Sequence, residues 1–137
     1  MKRNRPGLLI VGSAAEDERT WRQILEHDQG EARQVQSCRE ALAFLQRNAV
    51  PVVVCERDLP DGNWKDVLKP LSAMSDRPEV IVTSRLADDH LWLEVLNAGG
   101  YDVLTKPLDR QEARRTVALA RQQWTHGRQA ARAGQGA

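Results

Sequence analysis

The sequence predicts an α/β fold in which five parallel β-strands form one doubly wound sheet between two layers of helices. Two observations predict it. Short apolar runs alternate five times with stretches of helical periodicity, and a length of 137 residues with 41% hydrophobic residues suits one domain with a single core. Strands and helices that alternate in this way form a parallel sheet with right-handed crossovers. We therefore expect three layers, with the sheet in the middle.

The expected strands are short runs of apolar or β-branched residues, at 8–11, 32–36, 52–55, 80–83 and 101–104. Helices are expected between them, at 13–27, 38–48, 64–74, 87–97 and from 109 to about 124. Ser13 and Glu16 form a capping box at the start of the first helix. Gly99 is expected to end the fourth helix and Asp109 to begin the fifth.

One domain accounts for most of the chain. We expect an N-terminal extension at 1–6, the domain at 7–124, and a flexible C-terminal tail at 125–137, because that tail has no apolar stripe that could pack. The chain shows no internal repeat and no second domain.

Charge and cysteine content restrict the function. The 20 basic and 19 acidic residues leave a net charge of +1, so no overall field favours nucleic acid or a membrane surface. The apolar run at 8–11 is too short for a signal peptide or a membrane span. Cys38 and Cys55 have no metal-ligand spacing and fit a reducing interior. We expect a cytoplasmic protein with no nucleic-acid or membrane partner.

Polar side chains follow three of the predicted strands. Glu56 ends the apolar run at 52–55, Thr83 ends the next strand, and Lys106 follows the last one. The carboxyl ends of parallel strands meet at one edge, where α/β folds place their chemistry. The sequence therefore predicts a site that combines an acid, a hydroxyl and a lysine.

With these residues and the segments around them, at 56–62, 81–84 and 98–107, the chain resembles the receiver domain of two-component response regulators over about residues 7–124. The resemblance implies a flavodoxin-like (βα)5 fold and a part in bacterial phosphorelay signalling. It puts Glu56 at the position of the phosphoacceptor aspartate. The expected phosphate-pocket residues are Thr83 at the switch hydroxyl, Ser84 beside it, and Lys106 at the lysine that pairs with phosphoryl oxygen.

Three other positions of the resemblance concern the metal and the switch. Gly12 and Ser13 stand where the family carries two acidic residues that bind Mg²⁺, and Asp58 stands where a backbone carbonyl helps to hold the ion. Val103 stands where the family often has a rotating Tyr or Phe. Mg²⁺ prefers oxygen ligands and is usually fixed by carboxylates, so we expect metal binding to be weak or absent and no other cofactor.

Glu56 also differs from the family's aspartate. Its extra methylene moves the carboxylate outward by roughly 1.5 Å, and a misplacement of this order can cost roughly 100-fold in rate. We expect an ion pair between Glu56 and Lys106 that imitates the switch without phosphorylation. Two simpler alternatives stay open: Glu56 is only a structural counter-ion for Lys106, and Thr83 is only the last residue of a β-branched strand. Ser13 fits a helix cap better than a nucleophile.

The tryptophans divide into two groups. Trp21, Trp64 and Trp124 have apolar neighbours at helical spacing, so core packing is expected for them. On the fourth helix the inward stripe is predicted at Leu91, Val95 and Ala98. Trp92 and Leu96 then lie on a more exposed flank, on the face that receivers commonly use for docking. The alternative is that Trp92 only widens the core stripe.

These observations predict a stand-alone receiver-like module that is not an enzyme and acts by protein–protein contact. Its expected partner is a kinase, a downstream effector or a second copy of the chain. One alternative is a phosphoryl-accepting receiver with weak Mg²⁺-dependent autophosphorylation. Another is a small-molecule-binding flavodoxin-like domain, although the chain has no glycine-rich phosphate loop.

Overall fold

The computed structural model describes residues 6–13, 15–25 and 31–136, with side chains at 7–13, 18–25 and 31–128. Its strands are β1 (Pro6–Val11), β2 (Glu31–Val35), β3 (Val52–Glu56), β4 (Asp58–Leu59), β5 (Gly62–Asn63), β6 (Glu79–Ser84) and β7 (Asp102–Thr105). Its helices are α1 (Ala15–Leu25), α2 (Cys38–Arg47), α3 (Trp64–Leu71), α4 (Asp89–Asn97) and α5 (Arg110–Gly136).

Five parallel strands form the central sheet in the order β2-β1-β3-β6-β7. This order confirms the predicted doubly wound flavodoxin-like sheet. The chain moves outward from β1 to β2, crosses back to β3, and then continues through β6 to β7. The carboxyl ends of β1 and β3 flank the point where the direction changes, which is where open α/β sheets bind their ligands.

The core lies on both faces of the sheet. Val53 and Cys55 of β3 belong to the cluster packed with α2, α3 and α4, while Val52 and Val54 belong to the cluster packed with α1 and α5. All four side chains are at most 2% exposed. A strand covered on both faces explains why 52–55 reads as a continuous apolar run instead of an alternating one.

The predicted helix boundaries are confirmed at two places. Gly99 has φ +96° and follows α4, and the N–H groups of Gly99 and Gly100 donate to the carbonyls of Leu96 and Val95, which is a glycine-dependent helix end. Asp109 caps α5, because its side chain accepts a hydrogen bond from the Glu112 N–H at 3.1 Å. The capping box predicted at Ser13 and Glu16 involves side chains outside the described residues.

Three predictions about elements were wrong or incomplete. The last helix does not end near Trp124 but continues to Gly136. Within it, the Arg128 Cζ lies 4.6 Å from the centre of the Trp124 ring, and the Arg128 Nε lies 3.6 Å from Asp76 Oδ1. Ala98 is exposed and does not extend the inward stripe of Leu91 and Val95. The short antiparallel pair of β4 and β5 was not predicted.

Trp21 and Trp64 are buried as predicted, with 1% and 3% of their surface exposed, whereas Trp124 is half-buried. Among the described residues, no helix combines the length and apolar character that crossing a membrane requires.

Candidate functional site

The strand ends bring the predicted site residues together at the carboxyl edge of the sheet. Glu56 at the end of β3 is in register with Thr83 of β6, and Lys106 follows β7 directly. The backbone N–H of Arg57 donates to the Thr83 carbonyl at 2.9 Å, and the N–H of Lys106 donates to the Ser84 carbonyl at 3.0 Å. These bonds fix the three strand ends relative to one another.

Glu56 and Lys106 form an ion pair in this site. The Lys106 Nζ donates to Glu56 Oε1 at 2.7 Å, a short distance that is typical of a charge-assisted hydrogen bond. Only 21% of the Glu56 side chain and 12% of the Lys106 side chain are exposed. The contact that the sequence predicted is therefore present, and partial burial protects it from the screening that weakens surface pairs.

The two hydroxyl residues have different surroundings. Thr83 is 3% exposed, and the hydrogen bonds of the described residues do not include one from its hydroxyl to Glu56. The Ser84 Oγ accepts a hydrogen bond of 3.0 Å from the Leu86 N–H and so shapes the turn after β6. The structure thus puts both residues beside the ion pair and gives Ser84 a local structural contact.

Gly12 lies directly against Glu56. A Cβ at position 12 would lie 2.6 Å from Glu56 Cδ and 2.9 Å from Glu56 Oε2, both shorter than non-bonded contacts allow. The Glu56 carboxylate therefore fills the space where a side chain of residue 12 would begin. Gly12 is buried, and its neighbour Ser13 is exposed.

A cleft of about 280 Å³ opens next to the ion pair. It is lined by Glu56, Thr83, Ser84 and Lys106 together with Arg57, Asp58, Arg85 and Leu86. Asp58 points largely to solvent, since 76% of its side chain is exposed, and it pairs with Arg57 at 3.2 Å. The sequence reasoning missed Arg57 and Arg85, although each directly follows a strand-end residue of the site and was readable from that position.

The remaining predicted residues lie outside this cleft. Val103 of β7 is half-buried and packs against the core cluster on the α4 side of the sheet. Trp92 is 45% exposed, and Leu96 on the same flank of α4 is half-buried. Leu93, which was not predicted, is 52% exposed. Glu94 lies on the opposite flank and pairs with Lys65 of α3 at 2.5 Å, so the Trp92 flank faces away from α3.

The family that the sequence resembles uses Mg²⁺ at this edge, and the described side chains can be tested for that role. Position 12 offers no side-chain ligand atom, and a side chain there would meet Glu56. Across the described residues there is no group of three or more His, Cys, Asp or Glu side chains that could hold a metal ion. Of the described side chains that line the cleft, Glu56 and Asp58 are the carboxylates, and each is paired with a cationic side chain.

Comparison with known proteins shows the family of this chain. The sequence profile of the response regulator receiver domain matches residues 8–118. Over 109 residues the chain is 28% identical to the response regulator protein PilR of Pseudomonas aeruginosa, which covers 77% of this chain. The chain spans only about a quarter, 24%, of the length of that relative.

Solved structures show the same fold. The signal receiver domain of a protein described as a Luxo repressor from Vibrio parahaemolyticus has a TM-score of 0.84 at 21% identity, over 92% of this chain and 97% of that one. The signal receiver domain of an HD domain-containing protein from Pseudomonas fluorescens has a TM-score of 0.81 at 22% identity, over 94% and 96%. At these identities the likeness concerns the fold alone. The profile match covers most of the chain, and the chain therefore belongs to the response regulator receiver domain family of two-component systems.

Proposed function

We propose that this receiver domain signals without being phosphorylated, because Glu56 supplies a permanent negative charge where the family forms an acyl phosphate. The observation that carries the proposal is the part-buried contact of 2.7 Å between Glu56 Oε1 and Lys106 Nζ. It gives the lysine an anionic partner in the unmodified chain. The domain then passes its message by contact with another protein.

The same contact makes Glu56 a poor phosphoryl acceptor. Phosphoryl transfer depends on positioning and on cations that neutralise the charge developing on the phosphoryl oxygens. The positive charge of Lys106 is already compensated by the Glu56 carboxylate, and the added methylene moves that carboxylate away from the position of an aspartate. Both effects act against attack on a phosphodonor.

The proposed loss of the metal site acts in the same direction. Mg²⁺ would neutralise the charge on the phosphoryl oxygens, but Gly12 supplies no carboxylate to hold it, and the space beside Gly12 contains Glu56. We propose that the domain binds Mg²⁺ weakly or not at all and has no other cofactor.

The partner is proposed to be a signalling protein, either a kinase or a downstream effector, or a second copy of the domain. The support is a pair of exposed apolar side chains on α4, where Trp92 is 45% and Leu93 52% exposed. Exposed aromatic and aliphatic residues of this kind anchor protein–protein contacts.

Phosphorylation can be tested by intact-protein mass spectrometry after incubation with acetyl phosphate and Mg²⁺. We expect no phosphoryl adduct on the natural chain. The matched variant G12D/S13D/E56D restores the family's acids on the same scaffold, and we expect it to gain an adduct. An adduct on the natural chain that disappears in E56Q would overturn the proposal and favour a phosphoryl-accepting receiver.

A further inference from the structure

Gly12 provides the space in which the Glu56 carboxylate lies. A Cβ at position 12 would stand 2.6 Å from Cδ, 2.8 Å from Cγ and 2.9 Å from Oε2 of Glu56. All three atoms belong to the Glu56 side chain, so the overlap is relieved by rotation of that side chain out of its position. Any side chain at position 12 therefore requires Glu56 to move.

The backbone at Gly12 is held in place from the other side. Its N–H donates to the Val35 carbonyl at the end of β2 at 2.9 Å, and its carbonyl accepts a hydrogen bond of 2.9 Å from the Gln34 side chain. Val11, the residue before it, is in register with Val35 on one side and with Cys55 on the other. Because these contacts fix the backbone, Glu56 must move to relieve the overlap with an added Cβ, while the φ of +159° at Gly12 adds a backbone strain that does not depend on Glu56.

Lys106 closes the opposite side of the same space. It holds Oε1 of Glu56 at 2.7 Å, while Oε2 faces Gly12. The Glu56 backbone is paired with Thr83 and has no freedom to withdraw along β3. The carboxylate is thus confined between a glycine and a lysine.

We infer that Gly12 is a positioning residue for the built-in anion, and that positions 12 and 56 are coupled. A glutamate at 56 reaches Lys106 in this pose only while residue 12 has no side chain. An acidic residue at 12 and a glutamate at 56 exclude each other, so neither change alone converts this site into one that holds a metal. The inference rests on the proposed role of Glu56 and explains which other residue makes that role possible.

A double-mutant cycle of G12A and E56A tests the coupling by thermal unfolding. In the natural background, over-packing by G12A lowers the midpoint of unfolding by roughly 4–10 °C. In the E56A background all three overlapping atoms are gone and only the backbone strain at φ +159° remains, so we expect G12A to lower the midpoint by a smaller amount. Equal shifts in both backgrounds would show that Gly12 does not act through Glu56 and would overturn the inference.

A glycine elsewhere serves as the matched control. A Cβ at Gly127 in α5 meets nothing within 4 Å, so G127A should shift the midpoint equally in the two backgrounds. If G12A alone does not fold, folding of G12A/E56A supports the coupling, and failure of both variants contradicts it.

The ¹⁵N resonance of the Lys106 ammonium group adds a readout that a purely structural glycine would not move. We expect G12A to shift this resonance while Glu56 is present, because the carboxylate leaves its position. G12A should leave it unchanged once Glu56 is alanine. Shifts of equal size in both backgrounds would count against the inference.

These outcomes are separate from those of the phosphorylation experiment. A phosphoryl adduct on the natural chain would overturn the proposed function and leave the cycle's coupling intact. If the effects of G12A and E56A are additive, Gly12 has no role in positioning Glu56, and the expected absence of a phosphoryl adduct is unaffected.

Discussion

Asp61 caps a helix that begins 23 residues before it in the sequence. Its Oδ1 accepts a hydrogen bond of 2.8 Å from the backbone N–H of Cys38, the first residue of α2, and its Oδ2 accepts one of 3.0 Å from the Arg39 N–H. These donors lower the pKa of the Asp61 carboxyl below its usual value. The turn that follows Glu56 is thereby tied to α2.

We expect D61A to lower the thermal midpoint at neutral pH, because both helix donors lose their acceptor. D61N keeps one acceptor oxygen and should lower it less. The folded-state pKa of Asp61 is depressed, so its contribution is complete above the unfolded value of about 3.9 and is lost as the pH falls through the folded value. The natural chain and D61A should therefore converge in acid. A constant difference between them from pH 7 to pH 2 would contradict this account.

The thiol of Cys38 is expected to react slowly with iodoacetamide at pH 8. Burial raises its pKa to about 11, with a further contribution from Asp61. The alkylation rate, followed by peptide mass spectrometry, should therefore keep rising as the pH approaches 11. D61A removes the contribution of Asp61 to the raised pKa of Cys38 and should speed the reaction at pH 8. An inflection near the ordinary thiol value of about 8.5 would show that the environment of Cys38 is different.

The carboxylate of Glu79, at the start of β6, lowers the stability of the fold at neutral pH. Burial raises its pKa, and Arg77 offsets this in part. Because the folded-state pKa of Glu79 is raised, folding favours its neutral carboxyl. The fold therefore has its full stability from this group below about pH 4.3 and loses that stability as the pH rises through the folded-state pKa. We expect E79Q to raise the thermal midpoint at pH 7 and to match the natural chain at pH 3. E31Q, at an exposed position in β2, is the control and should give no comparable rise.

The docking role of Trp92 can be separated from a role in packing. Because Trp92 is 45% exposed, W92A should lower the free energy of unfolding by less than the roughly 3–5 kcal/mol that truncating a buried tryptophan costs. We expect it to weaken self-association in sedimentation experiments or the capture of a signalling partner. Leu119 is also 45% exposed, on α5, which packs against the other face of the sheet, and L119A is the matched control. Unchanged association in W92A would remove this surface from the proposal.

The fold was predictable because its signals are repeated and local. Five apolar runs, each followed by a helical pattern, specify a parallel sheet, and the strand ends then bring Glu56, Thr83 and Lys106 to one edge. The β4–β5 pair was missed because two-residue strands are too short to show a period. The extent of α5 was missed because an exposed helix needs no apolar stripe, and Arg128 packs on Trp124 instead.

The inner geometry of the site was less predictable. The Glu56–Lys106 contact followed from their positions at the carboxyl ends of β3 and β7, the strands on either side of β6. The approach of Glu56 to Gly12 depends on a side-chain rotamer, and the Asp61 cap joins segments that are 23 residues apart. Neither leaves a periodic signal, although a glycine at a strand end indicates that something comes close to the backbone.

The negative charge of the Glu56 carboxylate is not lost by hydrolysis. An acyl phosphate is made and hydrolysed, so it records how recently a donor was active, whereas a carboxylate seated against Lys106 is present from the moment the chain folds. We expect the output of such a domain to follow its abundance and the supply of its partner, and to be insensitive to the phosphorylation state of the cell.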